Sequence, residues 1–190
     1  MALYGVTDAD ESKPKWAVRG SVVDPQNIFA TAEGWVLRHY KNAAKTAYWD
    51  EVLVAVDGLV GEGGRGTNTL GEADITAVFF EETGYAGGAT GTVVVIYNEQ
   101  VNVTNGATLV VRNTTDSANI TATAAAQTST NRVEFTFTAA ATGKAHAIQA
   151  QTISGTIVDS TGGATSDKAF VAGDVVGAGG SGSTKTFTAS

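Results

Sequence analysis

Asn131-Arg132-Val133-Glu134-Phe135-Thr136-Phe137-Thr138 decides the fold class. Val133, Phe135 and Phe137 fall on one side of an extended chain. Arg132, Glu134, Thr136 and Thr138 fall on the other. This period of two is the pattern of a strand with one buried face. Working outward, Thr92–Tyr97 reads Thr-Val-Val-Val-Ile-Tyr, a β-branched run suited to a sheet covered on both faces. Asp74–Phe80 and Ala107–Asn113 have the same character. Turn signals separate them at Gly87-Gly88, Asn105-Gly106, Thr142-Gly143 and Gly162-Gly163. Short strands with turn residues at roughly 8–12-residue spacing predict an antiparallel β-sandwich. Thr121–Gln127 is alanine-rich, but threonine interrupts it and it is too short for a stable helix, so it reads as a small-residue strand. Gly177–Ser190 is glycine- and serine-rich and ends in Lys185-Thr186-Phe187-Thr188. It is expected as a tail, either loose or ordered only against a neighbour.

The chain divides into an arm over residues 1–60, a glycine-rich linker over 61–71, a sandwich over 72–176 and the tail over 177–190. The arm holds all three tryptophans, Trp16, Trp35 and Trp49, and both prolines. Within it Gly34–Tyr40 and Asp50–Val56 predict a β-hairpin around the polar stretch Lys41–Thr46. A two-stranded hairpin is marginal alone in water, so it must pack on the sandwich or on another subunit. Trp16, Trp35, Tyr40, Tyr48 and Trp49 concentrate large rings in a small zone, as an interface anchor needs. The expected attachment residues are Trp16, Trp35, Val36, Leu37, Tyr40, Trp49, Leu53 and Val54.

Composition excludes several functions. Twelve basic against nineteen acidic residues give a formal charge of −7. Residues 1–66 carry nine acids and seven bases, and the remainder ten acids and five bases. Nucleic acid is not an expected partner, because phosphate binding needs clustered Lys and Arg. Cysteine is absent, which removes disulfides, thiolate metal ligands and thiol nucleophiles. No apolar run approaches the roughly 18–20 residues of a membrane helix, and the opening Met1–Asp8 lacks a signal-peptide pattern. Neither a membrane partner nor secretory export is expected.

Catalytic chemistry finds little support. His39 and His146 lie in different zones, and Ser12, Ser21, Ser117 and Ser129 lack a nucleophile-elbow context. Asp50-Glu51 and Glu81-Glu82 are adjacent, so their side chains point to opposite faces of a strand. Asp8-Ala9-Asp10-Glu11 lacks the glycine and spacing of a calcium loop. Asp159, Asp167 and Asp174 leave calcium open, but three side chains fall short of the six to eight oxygens it takes. Gly61–Gly66 lacks the Lys-Ser/Thr ending of a phosphate loop. The expectation is a protein that is not an enzyme and has no cofactor and no metal.

Residues 91–165 resemble the bacterial Ig-like domain of surface-layer proteins. Gly91-Thr-Val-Val-Val-Ile-Tyr-Asn-Glu-Gln-Val-Asn-Val, Ala107-Thr-Leu-Val-Val, Asn131-Arg-Val-Glu-Phe-Thr-Phe and Thr156-Ile-Val-Asp-Ser-Thr-Gly-Gly-Ala carry the resemblance. Glu99–Val101 matches the family's Glu-x-Val turn, and Ile157–Gly163 its closing motif, with Gly163 where Asn often stands. The resemblance implies an all-β fold, an antiparallel Ig-like β-sandwich behind an N-terminal hairpin arm, serving as a spacer or binding module. Residues 1–60 look like the front end of small virion proteins of tailed phages, especially marine cyanophages. That rests on the Met-Ala-Leu-Tyr-Gly opening and on the hairpin from Gly34-Trp35-Val36 to Glu51-Val52-Leu53-Val54-Ala55. It implies a capsid decoration protein on the particle surface, partnered by the major capsid protein or other virion subunits, with a homo-oligomer on the particle possible. A carbohydrate-binding or adhesin module facing host-surface glycans is the alternative.

Overall fold

The structure, a computed structural model, describes residues 3–5, 27–31, 33–43, 46–56, 73–160, 163–180 and 184–190. Trp16, the acidic stretch Asp8–Glu11 and the glycine-rich stretch 61–71 lie outside the described residues. The chain forms two compact units, Met1–Glu72 and Ala73–Ser190.

The first unit is a four-stranded sheet in the order β1-β4-β3-β2. Its strands are β1 (Leu3–Gly5), β2 (Ile28–Thr31), β3 (Gly34–Tyr40) and β4 (Tyr48–Val56). The expected hairpin is β3–β4, and β2 and β1 flank its base. Antiparallel β2 covers β3 from Gly34 to Leu37, and parallel β1 covers β4 from Val54 to Val56. The hairpin therefore has flanking strands and a core of its own, which the sequence reading did not foresee. Ile28, Ala30, Trp35 and Val56 are buried together, with Leu37, Leu53 and Val54 packed against them. Gly34 sits at φ +120°, and a Cβ there would lie 2.2 Å from the Val54 carbonyl oxygen. Only glycine fits so tight a turn against β4.

The second unit is an antiparallel sheet that curls around one core. Its strands are β5 (Ile75–Phe80), β6 (Thr90–Val103), β7 (Ala107–Asn113), β8 (Ala118–Ala124), β9 (Gln127–Thr138), β10 (Ala145–Ile148), β12 (Ile157–Asp159) and β14 (Thr186–Thr188). The order is β12-β6-β9-β8-β7-β10-β14, with β5 beside β6. A separate ribbon pairs β11 (Gln151–Thr152) with β13 (Ala169–Phe170). The chain is thus all-β, an antiparallel β-sandwich following an N-terminal hairpin sheet. Val133, Phe135 and Phe137 of β9 point inward, as their alternation predicts. β6 is long enough to serve three partners. It pairs with β9 on one side and, on the other, with β5 over Val93–Tyr97 and with β12 over Val101–Val103. Its Val94 and Ile96 turn away from that core and form a second cluster with Ala77, Phe79 and Val176. That explains why the Thr92–Tyr97 run is apolar without alternation.

The glycine- and serine-rich end requires a correction. Thr186–Thr188 is a strand paired with β10, and Phe187 is buried. The Phe187 ring meets Phe80 edge-on at 4.9 Å, meets Tyr85 at 5.1 Å, and stacks on His146 at 4.5 Å. One ring in an alternating Thr-Phe-Thr fills the sandwich end and outweighs the surrounding low-complexity composition. The sandwich thus reaches past residue 176 through this last strand, and before it Asp174–Val176 runs beside β5: Val78 N–H donates to Asp174 O at 2.9 Å and Val176 N–H to Val78 O at 3.0 Å.

One side chain completes a ladder. β7 pairs with β10 from Val111 to Asn113, and Thr108 bridges Ser154. Between them the Gln151 amide fills the gap. Its Nε2 donates to Val110 O at 2.8 Å, and its Oε1 accepts from Val110 N–H at 2.7 Å. Gln151→Ala is expected to destabilise the protein by roughly 1 kcal/mol, since one residue's donor and acceptor both lose their partners. The midpoint of urea unfolding checks this, and Gln151→Glu, which keeps the acceptor and loses the donor, should fall between.

Candidate attachment surface

Beyond β2 and β1 the β3–β4 hairpin continues as a two-stranded ribbon. Its register runs Leu37–Glu51, Arg38–Asp50, His39–Trp49, Tyr40–Tyr48. Asn42 shapes the turn: its Oδ1 accepts from Thr46 N–H at 3.0 Å and Ala47 N–H at 3.2 Å, while Lys41 N–H donates to Ala47 O at 2.8 Å. A local side-chain cap of this kind holds a turn without help from elsewhere.

Each face of the ribbon carries a constellation. On one, His39 stacks on Trp49 with ring centroids 4.1 Å apart and planes 10° from parallel. His39 Nε2 lies 2.9 Å from a Glu51 carboxylate oxygen. On the other, the Arg38 guanidinium lies 4.4 Å over Phe29 and 3.9 Å over Tyr48. Arg38 also donates two bonds of 2.8 Å to Asp50. The hydrogen bond and charge of Asp50 raise the Arg38 pKa above its ordinary value despite partial burial. Stacking and a forked ion pair together fix the guanidinium plane.

The residues expected to attach separate into two groups. Trp35 and Val36 are fully buried and belong to the unit's interior, so they offer no surface. Leu37, Leu53 and Val54 are half-buried against the Trp35 core, and Tyr40 is half-buried beside Arg38. Trp49 is 49% exposed. Tyr48, 48% exposed, joins it at the ribbon tip. The signal for Tyr48 lay in the strand itself, because neighbours in a strand take opposite faces and one ring shows on each side.

The candidate catalytic and metal groups do not assemble. His146 is buried, its Nε2 accepts from Ala140 N–H at 3.0 Å, and burial lowers its pKa. Asp167 Oδ1 accepts from Ala169 N–H and Asp174 Oδ2 from Val171 N–H, so both shape local turns. Among the described residues no three His, Asp or Glu side chains form a group able to hold a metal ion. Glu99 is the chemical anomaly. It is 3% exposed, and its Oε1 has no hydrogen-bond partner. Burial, then the negative charges of Asp159 and Asp74, push its pKa up to about 7.

Comparison of the chain with protein-family models, curated proteins and solved structures yields no match.

Glu99 generates a pH dependence with a definite sign. In the unfolded chain it ionises near its ordinary 4.5, and in the fold near 7. Stability is therefore greatest below the lower value and falls as pH rises between the two. The loss is on the order of 3 kcal/mol by linkage. Glu99→Gln should remove this slope, leaving the variant more stable than the parent at pH 8 and about equal at pH 4. Thermal unfolding across that range checks it.

Proposed function

We propose that the chain is a structural protein of a virus particle, a decoration protein that attaches through its N-terminal unit and displays the sandwich. One observation carries the reading. The exposed large rings Tyr48 and Trp49 sit at the tip of a ribbon, one on each face, outside the core that the unit already has. Exposed rings on a preshaped support are what a docking surface requires. The resemblance of the front end to phage virion proteins supplies the setting and the partner class, the major capsid protein or another virion subunit. The part beyond residue 66, with ten acids against five bases, would keep displayed copies apart by repulsion. In this reading the protein binds and does not turn over a substrate.

A second reading has its own observation. A Trp49 ring held parallel to His39, with the Glu51 carboxylate beside it, offers a stacking face and a hydrogen-bond acceptor. That chemistry also suits a pyranose ring and would make the chain a glycan-binding module.

Mass spectrometry of gradient-purified particles of the phage that encodes the chain tests the first reading. The chain is expected in fixed ratio to the shell subunit. The half-exposed rings should each contribute about 1 kcal/mol on burial, so Tyr48→Ala/Trp49→Ala should weaken attachment roughly thirtyfold. Particles without the chain, together with glycan-array binding lost in Trp49→Ala, would favour the second.

A further inference from the structure

Among the described residues the tip ribbon leaves backbone without a strand partner. On the side of β4 away from β3, β1 covers only Val54–Val56, and among the described residues no strand pairs with Tyr48–Leu53 there. Lys41 N–H bonds to Ala47 O at the turn. In the alternating pattern of an antiparallel ladder, Tyr48, Asp50 and Val52 then direct their own N–H and C=O groups outward. Tyr48, Trp49 and Glu51 are exposed, and Asp50, Val52 and Leu53 are half-exposed. Among the described residues this edge is open over six residues, about the length of an average strand. Such an edge is a template for another strand.

The edge also indicates which strand. Antiparallel pairing of this edge with a second copy must set outward-facing residues against one another, Tyr48 opposite Val52, and that places Asp50 directly opposite Asp50. Like charges in directly opposed positions are destabilising. A strand bearing Lys or Arg on the face of Trp49 and Glu51 meets a carboxylate and an aromatic ring together, and both favour a cation. Its other face would meet Tyr48 and Val52, which favour β-branched side chains, with Asp50 between them already paired to Arg38.

We infer that Tyr48–Leu53 of β4 accepts an extended strand of a different polypeptide, alternating basic and β-branched residues, which lengthens the first unit's sheet by main-chain pairing. The inference rests on the reading of the N-terminal unit as the attachment element and states how attachment occurs. β-Strand addition takes affinity from main-chain bonds and specificity from alternate side chains.

The test uses the full chain and an end-blocked synthetic peptide of about eight residues alternating valine with lysine, with a valine–glutamate peptide as control. Amide hydrogen exchange read by NMR should show at least about tenfold greater protection at Tyr48, Asp50 and Val52 with the lysine peptide and none with the glutamate peptide. Val52→Pro removes an outward N–H without touching the β3 ladder and should weaken binding about tenfold or more, whereas Val52→Thr should not. If Val52→Pro fails to fold, the exchange map of the unaltered chain decides. No protection at these amides, equal binding of both peptides, or protection that grows with protein concentration alone would overturn the inference. On particles, occupancy that falls in Tyr48→Ala/Trp49→Ala but holds in Val52→Pro overturns the edge and leaves attachment standing. Occupancy that holds in both overturns both.

Discussion

A strand has two edges, and each backbone donor and acceptor on them must find a partner or face water. That requirement organises this molecule more than any single core contact. In the sandwich the outer edge of β5 is occupied by Asp174–Val176, which exchanges backbone bonds with Val78. The edge of β12 is turned back on Ala164–Ser166, through Asp159 N–H to Ala164 O and Ser166 N–H to Ile157 O. The gap beside Val110 is filled by a side chain, Gln151, standing in for a peptide group. Three unrelated devices serve one end, and each blocks the addition of a further strand. Against that background the length of β4 that no described strand covers stands out as a feature of the first unit.

The aromatic interior follows from the same curling of the sheet. When β14 closes on β10, Phe187 is brought among Phe80, Tyr85, Phe137 and His146. The Tyr85 hydroxyl spans the turn between β5 and β6, accepting from Glu82 and Thr92 N–H and donating to Thr92 O. Gly91 makes room for the Phe137 ring, whose nearest atom would lie 2.5 Å from a Cβ at that position. The closure therefore depends on rings and on a missing side chain in equal measure. His146 is a member of this stack, and burial holds its imidazole toward the neutral form.

Much of this was legible in the sequence, for reasons that differ by element. β9 announces itself by strict alternation, and β7 by β-branched residues between turn signals, because their outer faces meet water. β6 was legible as a strand but not in extent. Its second half, Asn98–Val103, carries Asn98 and Glu99 into buried positions that no periodicity marks as interior. β2 and β14 were missed because short strands owe their existence to a partner's ladder and to one anchoring ring, and neither leaves a local pattern. In the attachment surface, the concentration of aromatic residues pointed to the right hairpin but did not separate Trp35 from Trp49. Fourteen residues apart, both lie on the same sheet face, and only their distance from the flanking strands makes one interior and the other exposed. Flanking strands are a long-range property, and the sequence around each tryptophan does not contain it.

The ribbon's internal contacts bear on how it can bind. A flexible hairpin would lose much of its binding free energy to ordering on contact. Here the turn is held by Asn42, the Arg38 plane by Phe29, Tyr48 and Asp50, and the Trp49 ring by His39. Each of these contacts lies within the first unit and needs no partner to form. The ring conformations and backbone directions along β4 are thus set before any encounter, and the proposed partner would add a ladder beside Tyr48–Leu53, where no described strand pairs, and bury two half-exposed rings. That proposed division, with shape fixed by one chain and closure supplied by another, separates this ribbon from β5 and β12, whose outer edges are bonded from within the chain.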